Sequence, residues 1–167
     1  MKNLLSVVIL ILSSSAMAQT GYGGVGVTAV DASDEVSLTA MFARLGTDFN
    51  KNFSGEIRSA FGVNSGSIGA SGERLNVDLK SLHGVYVRTG IPVQSFFPYF
   101  IFGPTLLDFE YSGLGFSMSD SESDFSFGVG ADIKVGDLIT INIEYMDYSS
   151  KGSTDVTGVS LSFVAAF

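Results

Sequence analysis

Residues Asp155 to Phe167, at the end of the chain, alternate between two kinds of side chain. One parity of this stretch, DVTGVSLSFVAAF, carries the larger apolar residues Val159, Leu161, Phe163, Ala165 and Phe167. The other parity is mostly small or polar, with Gly158, Ser160, Ser162, Val164 and Ala166. A period of two predicts a β-strand and not a helix. In a soluble sandwich the apolar face would pack on a second sheet. In a transmembrane barrel it would face lipid, and the small, polar face would line a narrow lumen.

The beginning of the chain has the pattern of an export signal. Lys2 provides a positive charge, Leu4–Leu12 is apolar, and Ala16-Met17-Ala18 forms an A-x-A cleavage site. The apolar run is about nine residues long, and a membrane-spanning helix needs roughly 20. We therefore expect residues 1–18 to be a signal peptide, cleaved before Gln19, and residues 19–167 to form one domain.

Composition narrows the class of protein further. The chain has no cysteine, so an exported protein of this sequence is held together without disulfides. Its net charge of −8 argues against nucleic acid as a partner, because phosphate binding needs basic patches. Outside the signal, no apolar run approaches the length of a spanning helix. A hydrophobic exported chain of this kind favours a transmembrane β-barrel.

Alternating patterns recur along the rest of the chain and predict eight strands, each near the roughly 9 to 11 residues that a tilted strand needs to cross a bilayer. They are Gly21–Val30, Glu35–Phe49, Phe53–Val63, Leu75–Thr89, Phe97–Tyr111, Phe125–Lys134, Ile139–Met146 and Asp155–Phe167. The fourth strand needs a bulge near Leu82 if it is to switch faces midway. The fifth is aromatic on both parities, so its faces are not assigned, and Pro104 is expected at a bulge or a gap in the ladder.

The predicted connections alternate in length. Short turns are expected at Asn50–Asn52, Ile91–Ser95 and Gly136–Asp137, and longer loops at Asn64–Arg74 and Ser112–Ser123. Outer-membrane barrels have short periplasmic turns and longer external loops. The sequence therefore predicts an all-β fold, an eight-stranded antiparallel up-and-down barrel in the outer membrane, with both termini periplasmic.

The chain resembles the OmpA/OmpX-like and opacity-protein families of small outer-membrane barrels. The resemblance is carried by the signal, by Ala43–Val63, by Phe97–Gly103, by Phe127–Asp137 and by the terminal Phe167. In such families a C-terminal aromatic on an alternating strand is read by the barrel-assembly machinery. The resemblance thus implies an assembly signal at Phe167, with Phe163 and Leu161 on the same face. It also implies outer-membrane lipids and lipopolysaccharide as surroundings.

Five charged residues fall on the parity that we expect to face the lumen: Arg44, Glu56, Arg58, Asp132 and Glu144. The interior of an eight-stranded barrel is just wide enough for side chains to fill it. Charges in such an interior must pair, because an unpaired one costs several kcal/mol. The favoured interpretation is a charge network that plugs and rigidifies the barrel, and the alternative is a path for protons or ions.

Other motifs point to weaker hypotheses. His83, the only histidine, has Ser81 two residues away, so a lipid acyl hydrolase or acyltransferase is one alternative. The parity of the strand points both side chains toward lipid, so a histidine at the membrane interface is the favoured interpretation. Asp120, Glu122 and Asp124 alternate with serine in a predicted external loop and could hold Ca²⁺ or Mg²⁺, although a solvated acidic loop is the favoured interpretation. Residues 21–26 match G-x-G-x-x-G, but the dinucleotide fingerprint needs a strand before it and a helix after it. Here a cleavage site precedes the motif and a predicted strand contains it, so a glycine-rich lumen face is the favoured interpretation.

We therefore expect a non-enzymatic, monomeric outer-membrane barrel with a structural or surface-interaction role. No metal and no cofactor are expected. A lipid-modifying enzyme using His83 and a narrow channel are the two alternatives. The filling of the lumen and the surroundings of His83 discriminate between these three.

Overall fold

The computed structural model describes residues 20–32, 36–68, 75–113, 116–149 and 155–167. The predicted signal peptide lies outside these ranges. The described chain forms nine strands, labelled in chain order β1 Gly21–Ala32, β2 Ser37–Asn50, β3 Phe53–Gly62, β4 Ser65–Ile68, β5 Leu75–Gly90, β6 Phe96–Gly113, β7 Phe116–Lys134, β8 Ile139–Ser149 and β9 Val156–Ala166. Within the same ranges, no helix is long and apolar enough to cross a membrane.

The strands close into an antiparallel barrel. Each strand pairs with its neighbour in the chain, except that β3 pairs directly with β5, and β1 pairs with β9 to complete the circle. The short β4 lies along the outer part of β5 and continues the line of β3. The closed barrel therefore has eight strands, which confirms the predicted fold class.

Both ends of the described chain lie at one end of the barrel. The Phe167 amide donates to the Gly21 carbonyl at 2.9 Å, and the Asp48 amide donates to the Thr20 carbonyl at 3.1 Å. The turns at residues 51–52, 91–95 and 135–138 lie at this same end, which we call the terminal end. The other end, where β1, β6 and β8 end and β2, β7 and β9 begin, is called the far end.

The outer wall is apolar, as the alternation predicts. Its exposed large side chains come from every strand of the closed barrel and include Val25, Val27, Met41, Leu45, Ile57, Phe61, Val87, Phe100, Phe102, Phe125, Phe127, Ile143, Tyr145, Leu161 and Phe163. A wall of this kind is expected for a barrel surrounded by hydrocarbon. The residues between them point into the lumen and are mostly buried.

The predicted bulge in the fourth strand is confirmed. The register between β5 and β6 shifts between Leu79 and Ser81, three residues or fewer from Leu82. On the far side of the shift, Val77 and Leu79 are buried in the lumen, and on the near side Leu82, Tyr86 and Arg88 are buried instead. The extra residue at the bulge therefore changes which side chains face the lumen. They are the odd-numbered residues before it and the even-numbered residues after it.

Pro104 lies at the predicted gap in the ladder. The β5–β6 pairing runs to Gly84 opposite Thr105 and resumes at Val87 opposite Phe102, which leaves Pro104 without a paired residue on β5. Gly103 beside it approaches Val85 so closely that a Cβ at this position would lie 2.0 Å from the Val85 carbonyl oxygen. The structure also assigns the faces of this strand: the odd residues from Tyr99 to Phe109 face the lumen.

The predicted loop Ser112–Ser123 is wrong. Strands β6 and β7 pair continuously from Phe96 opposite Ile133 to Gly113 opposite Phe116, so this segment is the end of a long hairpin. Its serine- and glycine-rich composition is typical of loops, but its serines also recur with a period of two. The hairpin extends beyond the apolar wall, because the outward residues change from Leu106 to Asp108 on β6 and from Phe125 to Ser123 on β7.

The expectation of a small, polar lumen face holds only for the half of the barrel near the terminal end. The far half is filled by a hydrophobic cluster that includes Val30, Leu38, Ala40, Phe42, Val77, Leu79, Leu82, Leu107, Phe109 and Tyr148. Leu38 and Leu107 are fully buried in it. The lumen is thus divided into a charged half and an apolar half.

Candidate functional site

The charged half of the lumen is built by strand register. Arg44 on β2 lies directly opposite Arg58 on β3, so two cations face each other across one strand pair. Glu56 precedes Arg58 by two residues on the same inward face, and Glu144 reaches in from β8 on another part of the barrel wall. All four side chains are buried. The repulsion between the two arginines therefore requires carboxylates between them.

Glu56 and Glu144 provide those carboxylates. Arg44 Nη2 lies 2.8 Å from Glu56 Oε2, and Arg58 Nε pairs with the other oxygen of Glu56. Arg58 also binds Glu144 with both of its terminal nitrogens, and the Nη2–Oε2 distance is 2.8 Å. Paired donors on one carboxylate fix the orientation of the guanidinium as well as its charge. Arg58 thus connects two carboxylates on opposite parts of the barrel wall.

A third arginine, Arg88 on β5, joins the same network. It pairs with Asp132 on β7, and its Nη1 lies 3.6 Å from Glu56 Oε2. Its guanidinium carbon lies 3.8 Å from the centre of the Tyr99 ring, which is within cation–π range. The sequence pattern did not select Arg88 as a lumen residue, because the bulge in β5 reverses its parity. The sequence did contain one indication, because Arg88 follows Tyr86 by two residues and the two side chains therefore share a face of the strand.

Asn142 connects the separate ion pairs, and alternation alone did not distinguish it from other inward polar residues. Its side-chain oxygen accepts a hydrogen bond from Arg44 at 2.9 Å. Its side-chain nitrogen donates to Asp132 and to the Tyr99 hydroxyl, each at 2.6 Å. Tyr99 in turn donates to Glu144 at 2.6 Å. The amide and the phenol therefore join the ion pairs into one continuous set of hydrogen bonds.

The network contains as many cations as anions. Arg44, Arg58 and Arg88 face Glu56, Asp132 and Glu144, so the three positive and three negative charges cancel. The Tyr22 hydroxyl adds a hydrogen bond to Glu56 at 3.0 Å. Asp132 is the most exposed of these groups, with 18% of its side chain accessible. A neutral, mutually paired set of this size occupies the lumen cross-section and holds the strands that contribute to it in one register.

His83 lies on the outer wall and not in the lumen. It follows the bulge in β5, faces outward and is exposed, and Ser81 lies on the same face. Asp108 on β6 pairs opposite Ser81 and accepts hydrogen bonds from Ser81, at 2.6 Å, and from Ser121. The structure thus brings a serine, a histidine and a carboxylate together. However, the Ser81 hydroxyl donates its hydrogen bond to Asp108. An activated serine nucleophile instead donates to a general base such as histidine, and a third group orients that base.

The acidic residues of the predicted metal site lie on strand β7 and not in a loop. Asp120 is exposed, and the Ser149 hydroxyl donates to Glu122 and to Asp124, at 2.5 and 3.1 Å. In the described ranges, no group of three or more His, Cys, Asp or Glu side chains is arranged to hold a metal ion. The glycine-rich residues 21–26 are part of β1, where Gly26 lies against Phe42, and the described structure places a strand after them and not a helix.

The residues of the predicted assembly signal lie on the outer wall. Leu161, Phe163 and Phe167 all face outward, and Phe167 is the most exposed of the three, at 80%. The Phe167 ring covers Gly21, where a Cβ would lie 2.6 Å from the ring. The last residue therefore lies on the seam where the first and last strands close the barrel.

Comparison with known proteins agrees with this geometry. The family model described as "Outer membrane protein beta-barrel domain" matches residues 4–167, which is almost the whole chain. The chain belongs to this family of outer-membrane barrels. This membership supports a location in the outer membrane, and it confirms the family resemblance found in the sequence. No curated protein sequence matches the chain.

Several solved barrels have a similar fold. Ail, the attachment invasion locus protein of Yersinia pestis, has a TM-score of 0.65 at 16% identity, and the match covers 90% of this chain and all of Ail. Neisserial surface protein A has a TM-score of 0.62 at 10% identity, covering 92% of this chain and all of that one. The N-terminal barrel domain of Pseudomonas aeruginosa OprF has a TM-score of 0.56 at 9% identity, covering 87% and 96%. At these identities the likeness concerns the fold alone.

Proposed function

We propose that this protein is a non-enzymatic, non-conducting outer-membrane barrel whose role is structural or lies in contacts made at its external surface. The observation that carries the proposal is the filled lumen. Small barrels of this strand number have interiors that side chains can fill completely. Here a charge-balanced network occupies one half and a mainly apolar cluster occupies the other, so side chains fill the interior in both halves.

The surfaces outside the membrane are then where function resides. The β6–β7 hairpin extends past the apolar wall with exposed residues such as Ser117, Ser119 and Asp120. We place this far end outside the cell and both termini in the periplasm, because the short turns share the end with the termini. Two structural neighbours are described as an attachment protein and a surface protein, which is in keeping with such a role. The barrel-assembly machinery and outer-membrane lipids are the proposed partners, and the protein is proposed to be a monomer.

A lipid-modifying enzyme is the less favoured alternative. The outward cluster of Ser81, His83 and Asp108 contains the residue types for acyl transfer. Its hydrogen bonds run from Ser81 and Ser121 to Asp108, which leaves the serine without a histidine as base. The geometry therefore favours a polar anchor at the edge of the wall over a nucleophile.

Conductance measurements test the proposal. The purified protein, refolded into lipid vesicles and fused with a planar bilayer, should give no regular current steps, because both halves of the lumen are occupied. Folding is checked on the same sample by the shift in gel migration on heating that is typical of such barrels. Steady current steps from folded wild-type protein would show a water-filled pore and overturn the proposal.

A further inference from the structure

The outer wall is interrupted by a groove of about 570 Å³. It crosses strands β2, β3, β5, β6 and β7, and the residues that define it are Leu45, Ile57, Ser59, His83, Val85 and Ser123. We call it the outer-wall groove. Its volume lies within the range of about 300–1,000 Å³ that is usual for small-molecule sites. It lies outside the barrel, so it is separate from the charge network of the lumen.

Small side chains create the groove. Ala43 and Ser59 lie opposite each other on β2 and β3. The next outward pair toward the far end is Met41 with Phe61, and the next toward the terminal end is Leu45 with Ile57. Small residues between two pairs of large ones leave a depression. The missing β5–β6 pairs beside Pro104 continue this depression along the wall.

The groove is polar along one row. Ser59, His83, Leu106 and Ser123 are successive partners across four strands, so three of the four side chains in this row carry hydrogen-bonding groups. Within the described ranges, the side-chain hydrogen bonds include neither Ser59 nor His83, and His83 lies near enough to Asp108 for their charges to interact. On the opposite wall, the outward residues at comparable depth are apolar, such as Val27, Ile143 and Leu161.

Polar side chains on a lipid-facing wall need partners, because hydrocarbon provides none. Serine hydroxyls and an imidazole N–H can donate to the carbonyl oxygens of acyl esters or amides. The adjoining Leu45, Ile57 and Val85 form an apolar floor suited to a hydrocarbon chain. One row farther out, Asp108 presents a carboxylate that accepts hydrogen bonds from hydroxyl groups. The groove therefore fits an acyl chain, its ester or amide carbonyl and a nearby sugar hydroxyl.

We propose that the outer-wall groove is a binding site for one acyl chain of lipopolysaccharide, with the carbonyl of that chain held by His83 and Ser59 and a sugar hydroxyl of its lipid anchor held near Asp108. The choice of lipopolysaccharide over phospholipid rests on the proposed function, because only the external orientation of the far end places this row in the outer leaflet. The chemistry of the groove itself does not depend on that orientation.

Native mass spectrometry of the folded protein in detergent, titrated with purified short-chain lipopolysaccharide, tests the site. Wild type should bind one molecule. Ser59→Trp, which fills the groove, should abolish this binding, whereas Ala29→Trp, an equal enlargement at a small outward residue on β1, should bind as wild type does. His83→Phe keeps the ring but removes the donors, and it should weaken binding about two- to tenfold.

Equal binding by wild type and Ser59→Trp, or an equal loss in Ala29→Trp, would overturn the proposal. Phosphatidylethanolamine that competes as well as lipopolysaccharide would also overturn it, because the groove would then be a general lipid contact. Each variant is first shown to be folded by its gel shift on heating. Since binding in detergent is independent of membrane orientation and of conductance, its failure is distinguishable from failure of the proposed function.

Discussion

Arg58 is the residue on which the lumen network depends most. It binds Glu56 and both oxygens of Glu144, and its guanidinium carbon lies 5.1 Å from the centre of the Tyr86 ring. Without it, Glu144 loses its ion pair and keeps the hydrogen bond from Tyr99. Leaving a buried carboxylate without its cation costs much more free energy than the intact ion pair contributes to stability.

We therefore predict that Arg58→Ala destabilises the barrel by about 3–5 kcal/mol. The double variant Arg58→Met with Glu144→Gln should be less destabilised than the single one, because it removes both charges and leaves an acceptor for Tyr99. Ile143→Val on the outer wall, where lipid adapts to the missing methyl group, is the control and should cost little. Urea unfolding in lipid vesicles measures all three. A double variant that is less stable than Arg58→Ala would contradict the uncompensated-charge argument.

At the scale of the strands, alternation predicted the elements whose large residues occupy one parity and left the faces of β6 unassigned. The last strand was readable because its large residues occupy one parity over its whole length. In β6, aromatic residues occur on both parities, since Tyr99 fills the lumen while Phe100 covers the outer wall. Period alone could not separate these two environments.

The residues of the charge network were likewise predictable from the sequence only where the strands are regular. Parity selected Arg44, Glu56 and Arg58, since β2 and β3 are regular over these residues, and the structure places all three side chains in contact. It did not select Arg88, whose face depends on the bulge. It also could not show the role of Asn142, because strand pairing fixes which inward residues meet across the lumen, and a single strand carries no information on that.

Strand β9 closes the barrel, and Phe167, which follows it, gives a prediction for assembly. Phe167→Ser should lower the amount of folded protein in the outer membrane, because it removes the aromatic at the β1–β9 seam and the proposed recognition signal. Phe127→Ser, the same change at an outward residue of β7, is the matched control and should assemble near normally. Heat-modifiable protein in the membrane fraction is measured. An equal loss in both variants would show that only wall hydrophobicity matters, and unchanged levels for Phe167→Ser would exclude the signal.

At the scale of the whole molecule, the two halves of the lumen match the two ends of the barrel. The neutral network lies near the termini and the short turns, and the apolar cluster fills the half beneath the long hairpin. Side chains thus join the strands both by ion pairs and by apolar packing. The β6–β7 hairpin extends beyond the apolar wall at the far end. Its orientation decides whether it contacts molecules outside the cell or in the periplasm.

The absence of cysteine allows that orientation to be measured in intact cells. Ser119→Cys places a single thiol on the hairpin, and Asp137→Cys places one in the short turn between β7 and β8; both positions are exposed, so the two variants are matched. A membrane-impermeant maleimide should label Ser119→Cys on whole cells and Asp137→Cys only after the outer membrane is permeabilised. The physical reason is that the turn shares the terminal end with both chain ends, which we place in the periplasm. Labelling of Asp137→Cys on intact cells, with Ser119→Cys protected, would reverse the proposed orientation and place the hairpin inside.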